Sequence, residues 1–147
     1  MTDACPITAL KSILVATDGS EYSKAAIREA ITLAKACSSK LYVLSVIEAN
    51  PEFEALAPQL VEKAEKETRD DLEAVKAEAT KEGIECEAIV HEGEEPFRFI
   101  VDEASKHKVD LIVMGSHGRT GITRLMMGSV TTRVIGHAPC KVMVVPV

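Results

Sequence analysis

Short, almost wholly apolar runs alternate along this chain with longer amphipathic stretches, and that alternation restricts the fold more than any other feature. "SILVAT" (12–17) is a β-branched run that stops at Asp18-Gly19, as a buried strand does. From Ser20 to about Cys37, the residues Ala26, Ala30, Leu33, Ala34 and Cys37 recur at helical spacing, with Asp18 or Ser20 placed to cap. "LYVLSVI" (41–47) reads as a second strand, and "EANPEFEALAP" (48–58) as a loop or irregular turn with two prolines. A charged helix is expected from about Gln59 to Glu82, burying Leu60, Ala64, Leu72, Val75 and Ala79 and stopping at Gly83. "IECEAIV" (84–90) turns Glu85 and Glu87 to water, as at a sheet edge. Glu95-Pro96 opens a helix with Phe97, Ile100, Val101 and Ala104 on its buried face. "VDLIVMG" (109–115) is the fourth strand. A helix starting near Gly128-Ser129 uses Val130, Val134 and Ile135, Pro139 ends it, and "CKVMVVPV" (140–147) is the fifth strand.

The order βαβαβαβαβ calls for parallel strands, right-handed crossovers and helices on both sheet faces. Continuous apolar strands suit a sheet covered on both sides. The expected fold is one open, doubly wound α/β domain over residues 1–147, long enough to bury about 70% of its unfolded surface. Periodicity alone does not set the strand order.

Net charge is −6, against a general nucleic-acid binder. Every one of the 23 acids lies at or before Asp110, while Arg119, Arg124, Arg133 and Lys141 follow it, so residues 111–147 carry +4 and residues 1–110 carry −10. A locally basic segment on an acidic protein suits a small anion better than a long polyanion. No basic-then-apolar leader opens the sequence and no apolar run approaches the roughly 20 residues of a membrane helix, so the expected location is the cytoplasm. The four cysteines, Cys5, Cys37, Cys86 and Cys140, are far apart, with no CxxC pair, and are read as small buried hydrophobes of a reducing compartment. The four histidines show no HExxH or other short ligand spacing, and no metal site is expected.

The chemistry concentrates in "GSHGRTGITRLMMGSV" (115–130), which holds four glycines, hydroxyl residues and two arginines but no acid. In doubly wound sheets ligands bind beyond the carboxyl ends of the strands, where the winding reverses. Two suitable loops lie at such ends: "TDGS" after the first strand and this stretch after the fourth. Glycines let backbone N–H groups approach an oxyanion, and a helix starting at Gly128-Ser129 adds unpaired amides and a favourable dipole. Arg119 and Arg124 supply mobile charge, and Asp18 is the acceptor for ribose hydroxyls. There is no GxxxxGK[ST], no GxGxxG after the first strand, and no second acid there for a phosphoacceptor receiver.

From "KSILVATDGSEYSKAAIREA" to "APCKVMVVPV" the chain resembles the universal stress protein family. The specific part is the family's nucleotide motif, Gly-x2-Gly-x9-Gly-Ser/Thr, complete here as Gly115, Gly118, nine residues and Gly128-Ser129. The resemblance implies a Rossmann-like sheet of order 3-2-1-4-5 and places the first and fourth strands side by side. It implies ATP binding, or AMP or ADP, with Mg²⁺ accompanying a triphosphate. Asp18 would hold the ribose and Val46 would meet the adenine through its backbone. Gly115, Gly118, Gly128, Ser129 and Val130 would cradle the phosphates under the charge of Arg119, with Thr17 and Ser116 lining the site. A homodimer through residues 140–147 is implied as well. The function that follows is a nucleotide-dependent regulator of the stress response with protein clients. The alternatives are a slow ATPase or autophosphorylating phosphotransferase, disfavoured by the lack of an acid in the motif loop, and a nucleotide-independent chaperone or scaffold.

Overall fold

The computed structural model describes residues 5–117 and 127–146. Its elements are β1 (Ser12–Ala16), α1 (Glu21–Cys37), β2 (Lys40–Glu48), α2 (Pro51–Leu56), α3 (Pro58–Lys81), β3 (Cys86–Gly93), α4 (Pro96–Lys106), β4 (Leu111–Gly115), α5 (Ser129–His137) and β5 (Lys141–Val145). All strand pairs are parallel and the order is β3-β2-β1-β4-β5. The chain winds outward from β1 to β3, returns to β4 beside β1, then continues to β5. The winding therefore reverses between β1 and β4, where Ile13, Leu14 and Val15 pair with Leu111, Ile112 and Val113.

Strand side chains alternate between faces, so each central strand feeds two cores. On one face Ile13, Val15, Leu41, Val43, Leu111 and Val113 pack with Ala26, Ala30 and Ala34 of α1 and Leu72 and Ala79 of α3. On the other, Leu14, Leu44 and Ile112 pack with Phe97, Ile100 and Ala104 of α4 and Val134 of α5. Small residues on α1 let it lie close to the sheet, and Ala26, Ala30 and Ala34 have no exposed surface.

Several local expectations need correction. Residues 51–56 form a helix, because Pro51 suits a first helical position and the Asn50 side chain caps it by accepting from Phe53 N at 2.7 Å. The buried stripe of α3 starts at Val61 and includes Thr68, while Leu60 is 58% exposed. Ile135 is likewise exposed, and Thr131 takes the buried place beside Val134 on α5. β3 is displaced toward the carboxyl side, pairing with β2 from Leu41↔Cys86 to Glu48↔Gly93. The cysteines are not all unpaired: Cys5 and Cys37 are joined in a disulfide, whereas Cys86 and Cys140 are free thiols. No helix among the described residues is long and apolar enough to cross a membrane.

At the amino-terminal edge, Asp110 fastens β1 to β4. Its Oδ2 accepts from Lys11 N at 2.8 Å and Ser12 N at 3.1 Å, while its own N–H donates to Ser12 O at 3.0 Å. Asp110→Ala removes the carboxylate from two backbone donors and is expected to destabilise by about 1–2 kcal/mol, read as a lower urea midpoint with unchanged slope.

Candidate functional site

The carboxyl end of the β1/β4 pair is built from two lips. On the first, Thr17 N–H donates to Leu44 O at 2.9 Å, and the buried Thr17 hydroxyl meets Ser23 Oγ at 2.7 Å and accepts from Gly19 N at 3.1 Å. Thr17 thus organises the turn from beneath. Asp18 Oδ1 accepts from Ser20 N at 2.9 Å and Ser20 Oγ at 2.5 Å, a local turn that fixes the carboxylate at the lip. Ser20 stands at the N-cap of α1, but its side chain makes no capping bond.

The second lip runs from β4 into α5. Ser116 N–H donates to Val145 O at 3.1 Å, and Ser116 O accepts from Gly128 N at 2.8 Å. Thr131 Oγ1 donates to Gly115 O at 2.8 Å. These bonds bring Gly115, Ser116, Gly128, Ser129 and Val130 together at one end of the sheet. Ser129 is exposed and Val130 is half-buried against the second core. Gly118 and Arg119, with Arg124, lie outside the described residues.

Two motif glycines are present for different reasons. A Cβ on Gly115 would stand 3.0 Å from Tyr22 O, a backbone atom in the first turn of α1, so glycine there allows helix and strand to meet. Gly128 has φ −60° and ψ 152°, extended values that any residue adopts. It occupies the N-cap of α5, where a side-chain oxygen would ordinarily satisfy the open amides, and no side chain caps this helix among the described residues. A glycine at this position places no side chain of its own beside the amides of Ser129 and Val130.

Beside them, Ser116 Oγ lies 2.9 Å from His117 Nδ1, while His117 Nε2 is buried without a hydrogen-bond partner among the described residues. The ring tautomer sets the roles: where Nδ1 accepts from the serine hydroxyl, Nε2 is a donor lacking an acceptor, and where Nδ1 donates, Nε2 is an unpaired acceptor. Buried polar atoms of this kind are rare in native proteins, and a ligand oxygen would satisfy this one. His117 stands inside the first interval of the glycine motif, between Gly115 and Gly118, a place that motif spacing alone does not single out.

Val46 lies on β2, two residues beyond Leu44, opposite His91 on β3. Residues two apart in a strand turn their backbone groups to the same side. Leu44 O bonds toward β1, so the N–H and C=O of Val46 face the same way, past the end of β1 at Ala16. A separate cleft of about 330 Å³ opens between α1 and α3, lined by Thr17, Gly19, Ser23, Ile27 and Val75 among others. Of the expected site residues it contains Thr17 alone. Phe53 and Leu56 of α2 are 43% and 79% exposed on the segment that follows β2.

A second polar cluster, unforeseen in the sequence, lies under α4. Glu103 is 8% exposed and accepts from His91 Nε2 at 2.8 Å and His107 Nε2 at 2.9 Å. Tyr42 stacks on His107 and Phe99 on His91. Burial alone would raise the Glu103 pKa, but the His91 hydrogen bond, the Lys106 charge, the His91 charge and the His107 hydrogen bond outweigh it and hold the carboxyl below its ordinary value. Among the described residues no group of three His, Cys, Asp or Glu side chains is arranged to hold a metal ion.

Comparison with known proteins bears on both fold and site. The sequence pattern of the universal stress protein family matches residues 9–146. A universal stress protein of Methanocaldococcus jannaschii is 38% identical over 140 residues, covering 92% of this chain and 81% of that protein. Among solved structures, the universal stress protein UspA of Lactobacillus plantarum superposes with TM-score 0.83 at 27% identity, covering 92% of this chain and 97% of its own. The Archaeoglobus fulgidus universal stress protein, solved in complex with dAMP, superposes with TM-score 0.69 at 25% identity over 91% of this chain and 96% of its own. The chain belongs to the universal stress protein family.

Proposed function

We propose that this protein binds an adenine nucleotide at the carboxyl end of β1 and β4 and acts as a nucleotide-dependent regulator in the stress response, as a homodimer in the cytoplasm. The observation that carries the reading is the second lip. A helix start with no side-chain cap and a buried His117 Nε2 with no partner, both among the described residues, meet there beside a glycine whose backbone conformation does not require glycine. Helix N-termini of this kind favour phosphate through open amides and the helix dipole. The dAMP complex of the Archaeoglobus fulgidus relative supports the choice of base.

In this reading Gly128, Ser129 and Val130 present backbone to the phosphates, Ser116 positions a His117 imidazole protonated at Nε2 that adds a donor, and Gly115 sets the approach of α1. Gly118 and Arg119 complete the phosphate side. Asp18 holds the ribose, Thr17 supports that lip, and Val46 presents its backbone to the adenine edge. Mg²⁺ would accompany a bound triphosphate and neutralise part of its charge. The dimer would form through β5, an edge strand whose pairing with a second copy would cover the half-buried Val142–Val145 run. Titration of nucleotide-free protein with Mg·ATP in a calorimeter is expected to show one site per chain. No heat and no competition by AMP would contradict the proposal.

One observation favours a second, enzymatic reading. The Ser116 hydroxyl and the His117 imidazole, 2.9 Å apart, pair a nucleophile with a base at the same lip. Phosphoryl transfer to Ser116 would add one phosphate to the intact mass after incubation with Mg·ATP, and Ser116→Ala would abolish it. An unchanged mass in the natural protein leaves the binding reading alone in place.

A further inference from the structure

The disulfide is the feature that neither the fold nor the nucleotide site accounts for. It joins Cys5, ahead of β1, to Cys37, the last residue of α1, and so closes a ring that contains β1, the Thr17–Ser20 turn and α1. We propose that Cys5 and Cys37 form a reversible thiol–disulfide switch that fastens or frees the segment before β1.

Three observations separate this bridge from a permanent staple. The domain does not need it to make a core: each sheet face already buries a full layer, headed by Ile13, Leu41 and Leu72 on one side and Leu14, Leu44 and Ile112 on the other. Single-domain chains that depend on disulfides are generally those too small for such layers. Second, both bridged cysteines are only half-buried, so a small thiol can reach the bond. Third, the other two cysteines persist as free thiols, also half-buried. Burial pushes the Cys86 thiol up to about 11 and raises that of Cys140, which keeps both protonated and slow to exchange. One closed pair beside two inert thiols fits a compartment in which thiols survive and a single pair responds to oxidation.

The fastened segment is otherwise lightly held. Among the described residues, its hydrogen bonds to other elements begin at Leu10, whose carbonyl accepts from Ser39 Oγ at 2.6 Å, and Lys11, whose carbonyl accepts from Lys40 N at 2.9 Å. Before Leu10, Ile7 and the cysteines lean against the first core, and Ala9 sits at φ 59°, a left-handed conformation an alanine keeps only when its surroundings fix it. Opening the bond lets Ala9 relax and uncovers the Ile7–Cys37 end of α1.

The reaction balances with glutathione as partner. A glutathione thiolate attacks one sulfur, the S–S bond breaks, and a mixed disulfide and one protein thiolate form; that thiolate takes up a proton. A second glutathione thiolate displaces the remaining protein thiol and leaves as oxidised glutathione. Two protein thiols are gained for two glutathione thiols consumed, and closure is the reverse.

The test uses the full chain equilibrated against reduced and oxidised glutathione, quenched by alkylation and read by intact mass. With equilibration in native buffer and the alkylation carried out in denaturant, two cysteines should alkylate after oxidising mixtures and all four after reducing ones. Amide exchange at residues 7–9 and in the last turn of α1 should rise about tenfold or more on reduction. Cys5→Ser should show the fast exchange at every glutathione ratio, and Cys86→Ser should behave as the natural protein. A bond that resists reduced glutathione until the protein is unfolded would overturn the proposal. So would a pair that never closes under oxidised glutathione, or equal amide exchange in the two states.

Discussion

Gly128→Val is expected to weaken Mg·ATP binding by at least about a hundredfold, roughly 2.7 kcal/mol, while unfolding free energy changes by no more than about 1 kcal/mol. Valine accepts the φ and ψ that Gly128 holds, and both of its backbone bonds, to Ser116 O and from Thr132 N, remain available. The added isopropyl group stands where a phosphate would approach the amides of Ser129 and Val130. Gly115→Val gives the opposing control. There the new side chain meets the Tyr22 carbonyl at 3.0 Å inside a closed contact between α1 and β4, so thermal stability should fall. Calorimetry paired with thermal unfolding separates the two outcomes. If Gly128→Val binds as well as the natural protein, the glycine has no role in ligand approach.

Glu103→Ala should be among the most destabilising single changes at a polar residue. It leaves two imidazole Nε2 atoms without their shared acceptor beneath α4, an expected loss of about 2–3 kcal/mol, or roughly 5–10 °C in Tm. The pH dependence has a definite sign. Because the folded state holds this carboxyl below its ordinary value, its contribution is fully present above the unfolded pKa near about 4.3. It is lost as pH falls through the lower folded value. Urea unfolding of the natural protein and Glu103→Gln should therefore differ at pH 7 and converge under acid. A gap that stays constant through that window would show that the ionised carboxylate is not what stabilises α4.

The fold was largely legible because apolar runs and helical stripes are local signals. Ile13 to Ala16, Leu41 to Leu44 and Leu111 to Met114 are buried as their composition requires. Strand order is not local; it came from the resemblance carried by the glycine motif and agrees with the observed β3-β2-β1-β4-β5. The errors fall where an apolar residue is no guide to burial. Leu60 and Val61 are neighbours, and only the docking angle of α3 decides which of them faces the sheet. Ile135 lost its inward place to Thr131, whose methyl packs while its hydroxyl reaches Gly115 O. α2 was hidden by Pro51 and Pro58, since proline breaks a helix in its interior but starts one at the first position, as Pro51 does for α2 and Pro58 for α3.

The candidate site was legible in outline. Motif spacing picked out Gly115, Gly128 and Ser129, and the topology then brought them to one lip with Asp18 across the switch point. What the spacing could not show was that Gly115 lets α1 meet β4, or that His117 Nε2 is buried with no partner among the described residues. Glu103 and His107 are a local i,i+4 pair, but His91 on β3 and the Cys5–Cys37 bridge join residues far apart in sequence or on different elements, and no local pattern announces such meetings.

The central claim is that phosphate sits on the amino-terminal end of α5. Backbone amide NMR of the ¹⁵N-labelled protein during titration with Mg·ATP tests it most directly. The Ser129 and Val130 amides and the His117 side chain should shift together and saturate at one equivalent, and inorganic triphosphate should move the same amides. If those signals stay in place while Ile27 and Val75 of the α1/α3 cleft respond, the nucleotide binds elsewhere and the site proposed at Gly128 is wrong.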